Sequence, residues 1–148
     1  MSTVNEIASR KEIVTITADS GKTAYDVAVL MKRHGVDSIV VIDKKRQPIG
    51  IITERDMLKH VCLKNMATSR NKVEEIMSSP LITIMSYDSI DTASRIMIKN
   101  KIKRLIVLEP DNRITGLLSV FDITKHLAKI LLDDYNRYRS LRFAVNLS

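Results

Sequence analysis

The chain has 148 residues, 45% hydrophobic but only 4% aromatic, with 19 isoleucines, so its core must be aliphatic and belong to one domain or two small joined ones. One cysteine, Cys62, excludes a disulfide framework, and no apolar run nears the roughly 18 residues of a membrane span. The net charge of +7 is spread along the chain, and the N-terminal segment lacks the apolar stretch of a secretory signal, so a soluble cytoplasmic protein is expected.

Residues 17–60 superimpose on 83–126 with a shift of 66 and no gap. The two copies share Thr17/Thr83, Ser20/Ser86, Met31/Met97, Val41/Val107, Gly50/Gly116, Asp56/Asp122, Lys59/Lys125 and His60/His126. A shorter echo precedes each copy, VNEIA at 4–8 and VEEIM at 73–77.

In chain order, each copy begins with this lead-in. A helix over Thr23–His34 then places Ala24, Val27, Ala28, Leu30 and Met31 on one face. Its counterpart, Ser89–Asn100, carries Ile90, Ala93, Ile96 and Met97. Next come continuous apolar runs, Ser38–Ile42 and Arg104–Leu108, which read as strands buried on both faces. A polar turn leads to a second strand, Ile49–Ile52 or Thr115–Leu118. The last helix starts near Glu54 or Val120, with Met57, Leu58 and Val61, or Ile123, Leu127 and Ile130, on its apolar side. The expected fold is an α/β (α+β) sandwich of two pseudo-twofold repeats, 1–66 and 67–132, packed through their sheets. Residues 133–148 form a helical extension or tail.

The chemistry concentrates where the second strand meets the last helix. Gly50-x-x-Thr53-x-x-Asp56 and Gly116-x-x-Ser119-x-x-Asp122 occur at the same place in both copies. Glycine permits close backbone approach. A hydroxyl residue at a helix start sits beside free N–H groups that suit phosphate, while an Asp there suits a vicinal diol such as ribose. Thr/Ser-x-x-Asp also reads as a helix cap, and the two readings are compatible.

These segments, with the Thr-led lead-ins, the Met-bearing helices and the strands IVVID and LIVLE, resemble a tandem CBS-domain pair, often called a Bateman module, over roughly residues 1–130. The resemblance implies a stand-alone regulatory module that binds an adenosine compound between the copies (AMP, ADP, ATP, S-adenosylmethionine or NAD(H)). That ligand would be regulatory, with no resident cofactor. The resemblance also implies a disk-like homodimer and a regulated protein partner. It assigns ribose to Asp56 and Asp122, and phosphate to Thr53 and Ser119. Lys103 and Arg104 are expected at the phosphate of the Asp122 site, which phosphate-bearing ligands should therefore prefer, whereas the Asp56 site has Arg55 but also Asp37 and Glu54 and should better tolerate neutral or cationic adenosyl ligands. Adenine contacts are expected from Thr17, Ala18, Ile39 and Val40 for Asp122. For Asp56 they are expected from Thr83, Ile84, Leu105 and Ile106.

No nucleophile, acid–base pair, HExxH or His/Cys cluster is present, so neither catalysis nor a transition-metal site is expected. His60 and His126 read as structural or surface residues, and Cys62 as a packed thiol. Leu127, Ile130, Leu131, Tyr135, Tyr138 and Leu141 recur at helical spacing, so the last helix is expected to run past Asp134 and pack on a dimer mate. Tyr135, Arg137, Tyr138, Arg139, Arg142 and Phe143 interleave aromatic and basic residues, which also permits a nucleic-acid-binding reading.

Overall fold

A computed structural model describes residues 2–8, 13–63 and 67–147. The first lead-in forms a short helix α1 (Val4–Ile7) and a strand β1 (Thr15–Thr17). Helix α2 (Ala24–His34), strands β2 (Ser38–Ile42) and β3 (Pro48–Thr53), and helix α3 (Glu54–Met57) complete the first repeat, with α3 continuing as a π-helical turn over Leu58–Cys62. The second repeat runs through α4 (Val73–Ile76), β4 (Thr83–Met85), α5 (Ile90–Asn100), β5 (Arg104–Leu108), β6 (Ile114–Ser119) and α6 (Val120–Leu147).

The helix ends follow from their sequences. Thr23 precedes α2, and its N–H donates to Asp26 Oδ2 at 2.9 Å; Ser89 Oγ accepts from the Thr92 N–H at 3.1 Å at the start of α5. Gly35 ends α2 in the left-handed region, with φ 61°, and its repeat counterpart Lys101 ends α5 with φ 53°.

Each repeat builds a three-stranded sheet, β1-β2-β3 or β4-β5-β6, its first pair parallel and its second antiparallel. The lead-ins therefore supply a strand that their short apolar content did not announce. Thr15 pairs with Val40 as Thr83 pairs with Ile106, which makes Thr15, not Thr17, the counterpart of Thr83. The first copy carries two extra residues between β1 and α2, where Gly21 turns with φ 76°.

Alternation within the strands sorts the core into layers. On one face of the first sheet, Ile39, Val41 and Ile52 pack against Ala24 and Val27 of α2. On the matching face of the second, Leu105, Val107 and Leu118 pack against Ala93 and Met97 of α5. The opposite faces meet each other, with Val40 and Ile42 against Ile106 and Leu108. All five β2 residues are buried as a result.

The lead-in helices cross over. Val4 of α1 is fully buried in the second repeat's core, while Val73 and Ile76 of α4 are buried in the first repeat's core. Each repeat's core is completed by a segment belonging to the sequence of the other.

Three expectations change. Cys62 is exposed, because Val61 takes the inward position in the π-helical turn and its neighbour is carried round toward solvent. Leu58 is exposed for the same geometric reason, with Val61 and Met57 facing the core instead. In α6 only Ile123 of the expected stripe is buried, and Leu127 and Ile130 have left the body of the protein. His126 lies where its Nε2 is 3.1 Å from Ser2 Oγ, joining α6 to the lead-in. Among the described residues, no helix is long and apolar enough to cross a membrane.

Candidate functional site

Two clefts open between the repeats, one at each strand-to-helix junction. The first, about 530 Å³, is within the range of small-molecule sites. It is floored by the end of β3 and the start of α3, where Thr53, Arg55 and Asp56 lie together. Asp56 is only 8% exposed, so its carboxylate must be well satisfied. Oδ2 accepts from the Thr53 N–H at 2.9 Å and from Thr53 Oγ1 at 3.1 Å, and Oδ1 accepts from Ser78 Oγ at 2.8 Å. The cap and the candidate ribose acceptor are thus the same carboxylate.

Ser78 reaches Asp56 because the second lead-in runs beside β3. Ser78 N–H donates to Ile51 O at 2.9 Å, and Ile51 N–H donates to Ser78 O at 3.2 Å. Gly50 makes this approach possible. A Cβ there would stand 2.8 Å from Met77 Sδ and 3.0 Å from Ser78 O, inside contact distance. The glycine of the motif serves close packing here.

The far wall comes from the second repeat: Lys101, Ile102 and Lys103 before β5, Arg104 and Ile106 within it, and Leu81 and Ile82 before β4. Lys103 therefore lies in the Asp56 cleft, contrary to its expected pairing with Asp122. The cause is the face-to-face packing of the sheets, which sets the start of β5 opposite the end of β3 of the other repeat. Among the described residues this cleft gathers five cations (Arg55, Lys59, Lys101, Lys103, Arg104) against three carboxylates (Asp37, Glu54, Asp56).

The second cleft, about 560 Å³, holds Ser119 and Asp122 at the end of β6 and the start of α6. Ser119 N–H donates to Asp122 Oδ2 at 2.9 Å, and the Asp122 N–H donates to Ser119 Oγ at 3.1 Å, repeating the cap. Its far wall includes Gly35, Asp37 and Ser38 of the first repeat, together with Ile13, Val14 and Val40. Arg104 and Asp37 border both clefts and are joined by an ion pair.

Of the expected adenine-contacting residues, Val40 and Ile106 line the clefts. Ile39 and Leu105 face the opposite way, into their own repeat's core, because strand side chains alternate. Ala18 and Ile84 are likewise buried in those cores. Thr17 and Thr83 lie in the parallel strands, away from both linings. Their places are taken by Ile13 and Val14, and by Leu81 and Ile82, the residues just before each strand. The two extra residues of the first copy explain why Thr17 stood in for Thr15, whereas in the second copy Thr83 keeps its register and the lining begins just before it. Sequence reasoning also passed over Ser78, Lys59 and Lys101. Ser78 directly follows the echoed VEEIM segment, and Lys101 is the repeat counterpart of Gly35.

Lys101 carries an L side chain in a conformation that favours glycine, at a cost of about 1 kcal/mol. Lys101→Gly is therefore expected to raise stability by about 0.5–1 kcal/mol in thermal unfolding. The same variant removes one of the five cations that line the Asp56 cleft.

Comparison with known proteins agrees with this fold. The CBS domain family matches the chain twice, at residues 4–62 and 73–129. An uncharacterized protein of Methanopyrus kandleri is 32% identical over 120 residues, 81% of this chain and 60% of that protein. An uncharacterized protein of Methanocaldococcus jannaschii is 30% identical over 123 residues, 82% of this chain and 64% of that protein, so the chain spans about three fifths of these relatives' length. Inosine-5'-monophosphate dehydrogenase of Helicobacter pylori is 32% identical over 121 residues, which cover 80% of this chain but 24% of that enzyme. Among solved structures, a protein with CBS domains from Burkholderia ambifaria has TM-score 0.76 at 28% identity, covering 85% of this chain and 93% of that one. The fold also matches a CBS domain pair solved with 5'-methylthioadenosine and S-adenosyl-L-methionine, with TM-score 0.74 at 23% identity, covering 86% and 97% of the two chains. The chain thus belongs to the CBS-domain family and carries the domain as a tandem pair.

Proposed function

We propose that the protein is a regulatory, non-catalytic module that binds an adenosine-containing ligand between its repeats, and that the Asp56 cleft takes a phosphate-bearing one. The observation that carries this is the meeting of Asp56, a buried carboxylate suited to a ribose diol, with Lys101, Lys103 and Arg104 on the facing wall. Ile51, Leu81, Ile82 and Ile106 offer apolar contact for a base in the same cleft. The binding of adenosyl compounds by a CBS pair of the same fold supports the ligand class.

The signal follows from the shared ion pair. A phosphate that engages Arg104 competes with Asp37 for the guanidinium and loosens a bond between the repeats. Such a ligand shifts the relative pose of the repeats because it binds more tightly where that bond is open. A protein partner would then read the pose.

A thermal-shift panel with AMP, ADP, ATP, S-adenosylmethionine, NADH and a guanosine nucleotide tests this reading. A true ligand at a hundredfold over Kd should add about 2.7 kcal/mol, or about 5–10 °C in Tm. The reading fails if no adenosyl compound moves the transition, or if the guanosine control moves it equally.

A further inference from the structure

The length of α6 has no role in either cleft. Past His126, every side chain described, through residue 145, is exposed. Most of the apolar residues of this projecting segment are nevertheless ordered. At 3.6 residues per turn, Leu127, Leu131, Tyr138, Leu141 and Val145 fall on one stripe, which Ile130 and Tyr135 border on either side, while Leu132 and Phe143 lie on the opposite face. The first four are 51%, 68%, 64% and 62% exposed. A helical segment standing clear of the body gains little stability of its own in water, and an apolar stripe on it marks a surface made for burial.

The charges on that stripe identify its occupant. Asp134 lies within it, and Arg142 lies along its edge two turns later. A parallel, in-register copy would set Asp134 against Asp134 inside an apolar seam, an arrangement that repels. A reversed copy centred on residue 136 brings Leu131 level with Leu141. It also brings Asp134 level with Tyr138, whose phenol can donate to the carboxylate, and within a turn of Arg142. Reversal also keeps the two bodies apart, since each is attached at the Val120 end. We propose that α6 pairs antiparallel with α6 of a second copy through this stripe. The proposal is independent of what the clefts bind.

Light scattering on the full chain should give twice the 16.8 kDa mass, and Leu131→Glu with Leu141→Glu should give a single chain whose loss of helix is confined to the projecting part of α6. Both positions are exposed in the single copy, so that variant retains the repeats. Asp134→Arg should weaken association roughly tenfold, and adding Arg142→Asp should restore it. In a Cys62→Ser background, Leu131→Cys combined with Leu141→Cys should oxidise to a covalent dimer, and neither change alone should. A monomeric chain up to its solubility limit overturns the proposal. So does a dimer indifferent to the double Glu change, or efficient cross-linking by Leu131→Cys alone, which would mean parallel helices.

Discussion

Asp56→Ala is expected to lower the affinity of a phosphate-bearing adenosine ligand about a hundredfold, while Asp122→Ala leaves that same ligand's binding within about threefold. The first figure follows from losing two charge-assisted hydrogen bonds from a ribose diol to a buried carboxylate, each worth about 1.5–3 kcal/mol before reorganisation. Part of that is offset, because the ligand must first displace the Ser78 hydroxyl from Oδ1. The same substitution strips the Thr53 N–H and Ser78 Oγ of their acceptor and should cost about 1–2 kcal/mol of stability. Asp56→Asn separates the effects, since it preserves the side chain's shape and one acceptor for the cap. Calorimetric titration of the three variants is the check. Equal losses for Asp56→Ala and Asp122→Ala would place the phosphate-bearing ligand in neither cleft preferentially.

Ile76→Ala is expected to destabilise the protein by about 2–4 kcal/mol, the range for removing a buried branched side chain and leaving a cavity. Ile76 is 1% exposed and packs in the core of the first repeat although it lies in the sequence of the second. Its loss should therefore appear as a lower midpoint of one cooperative unfolding transition, not as early melting of the second repeat alone. Denaturant unfolding followed by circular dichroism, and by a probe placed in each repeat in turn, measures this. Two separated transitions would show that the crossed lead-ins do not couple the repeats.

Much of this architecture was legible because the repeat repeats its errors as well as its signals. Apolar runs such as Ser38–Ile42 gave the central strands at their observed limits, and Thr23 and Ser89 marked where α2 and α5 begin. The lead-ins were not legible as strands, since a three-residue parallel edge such as Thr15–Thr17 has no periodicity to read. Nor could the pattern show which repeat a lead-in packs against, because Val4 and Val73 are equally apolar in either place. The Gly-x-x-Thr/Ser-x-x-Asp segments located both clefts. The opposite walls depended on how two sheets face each other, a tertiary fact that moved Lys103 from one cleft to the other. Ile39 and Leu105 went astray through strand parity, where a shift of one residue exchanges cleft for core.

The crossed lead-ins also impose an order on synthesis. Val4 is made well before β5, β6 and the start of α6, the elements that bury it. The first repeat likewise emerges with the places of Val73 and Ile76 empty. At about 5–20 residues per second, those places stay open for about 1–3 s, and Val4 waits several times longer for its own. During that interval the nascent chain presents an unfilled apolar groove and a short unplaced helix, the two kinds of surface on which another chain or a chaperone could settle.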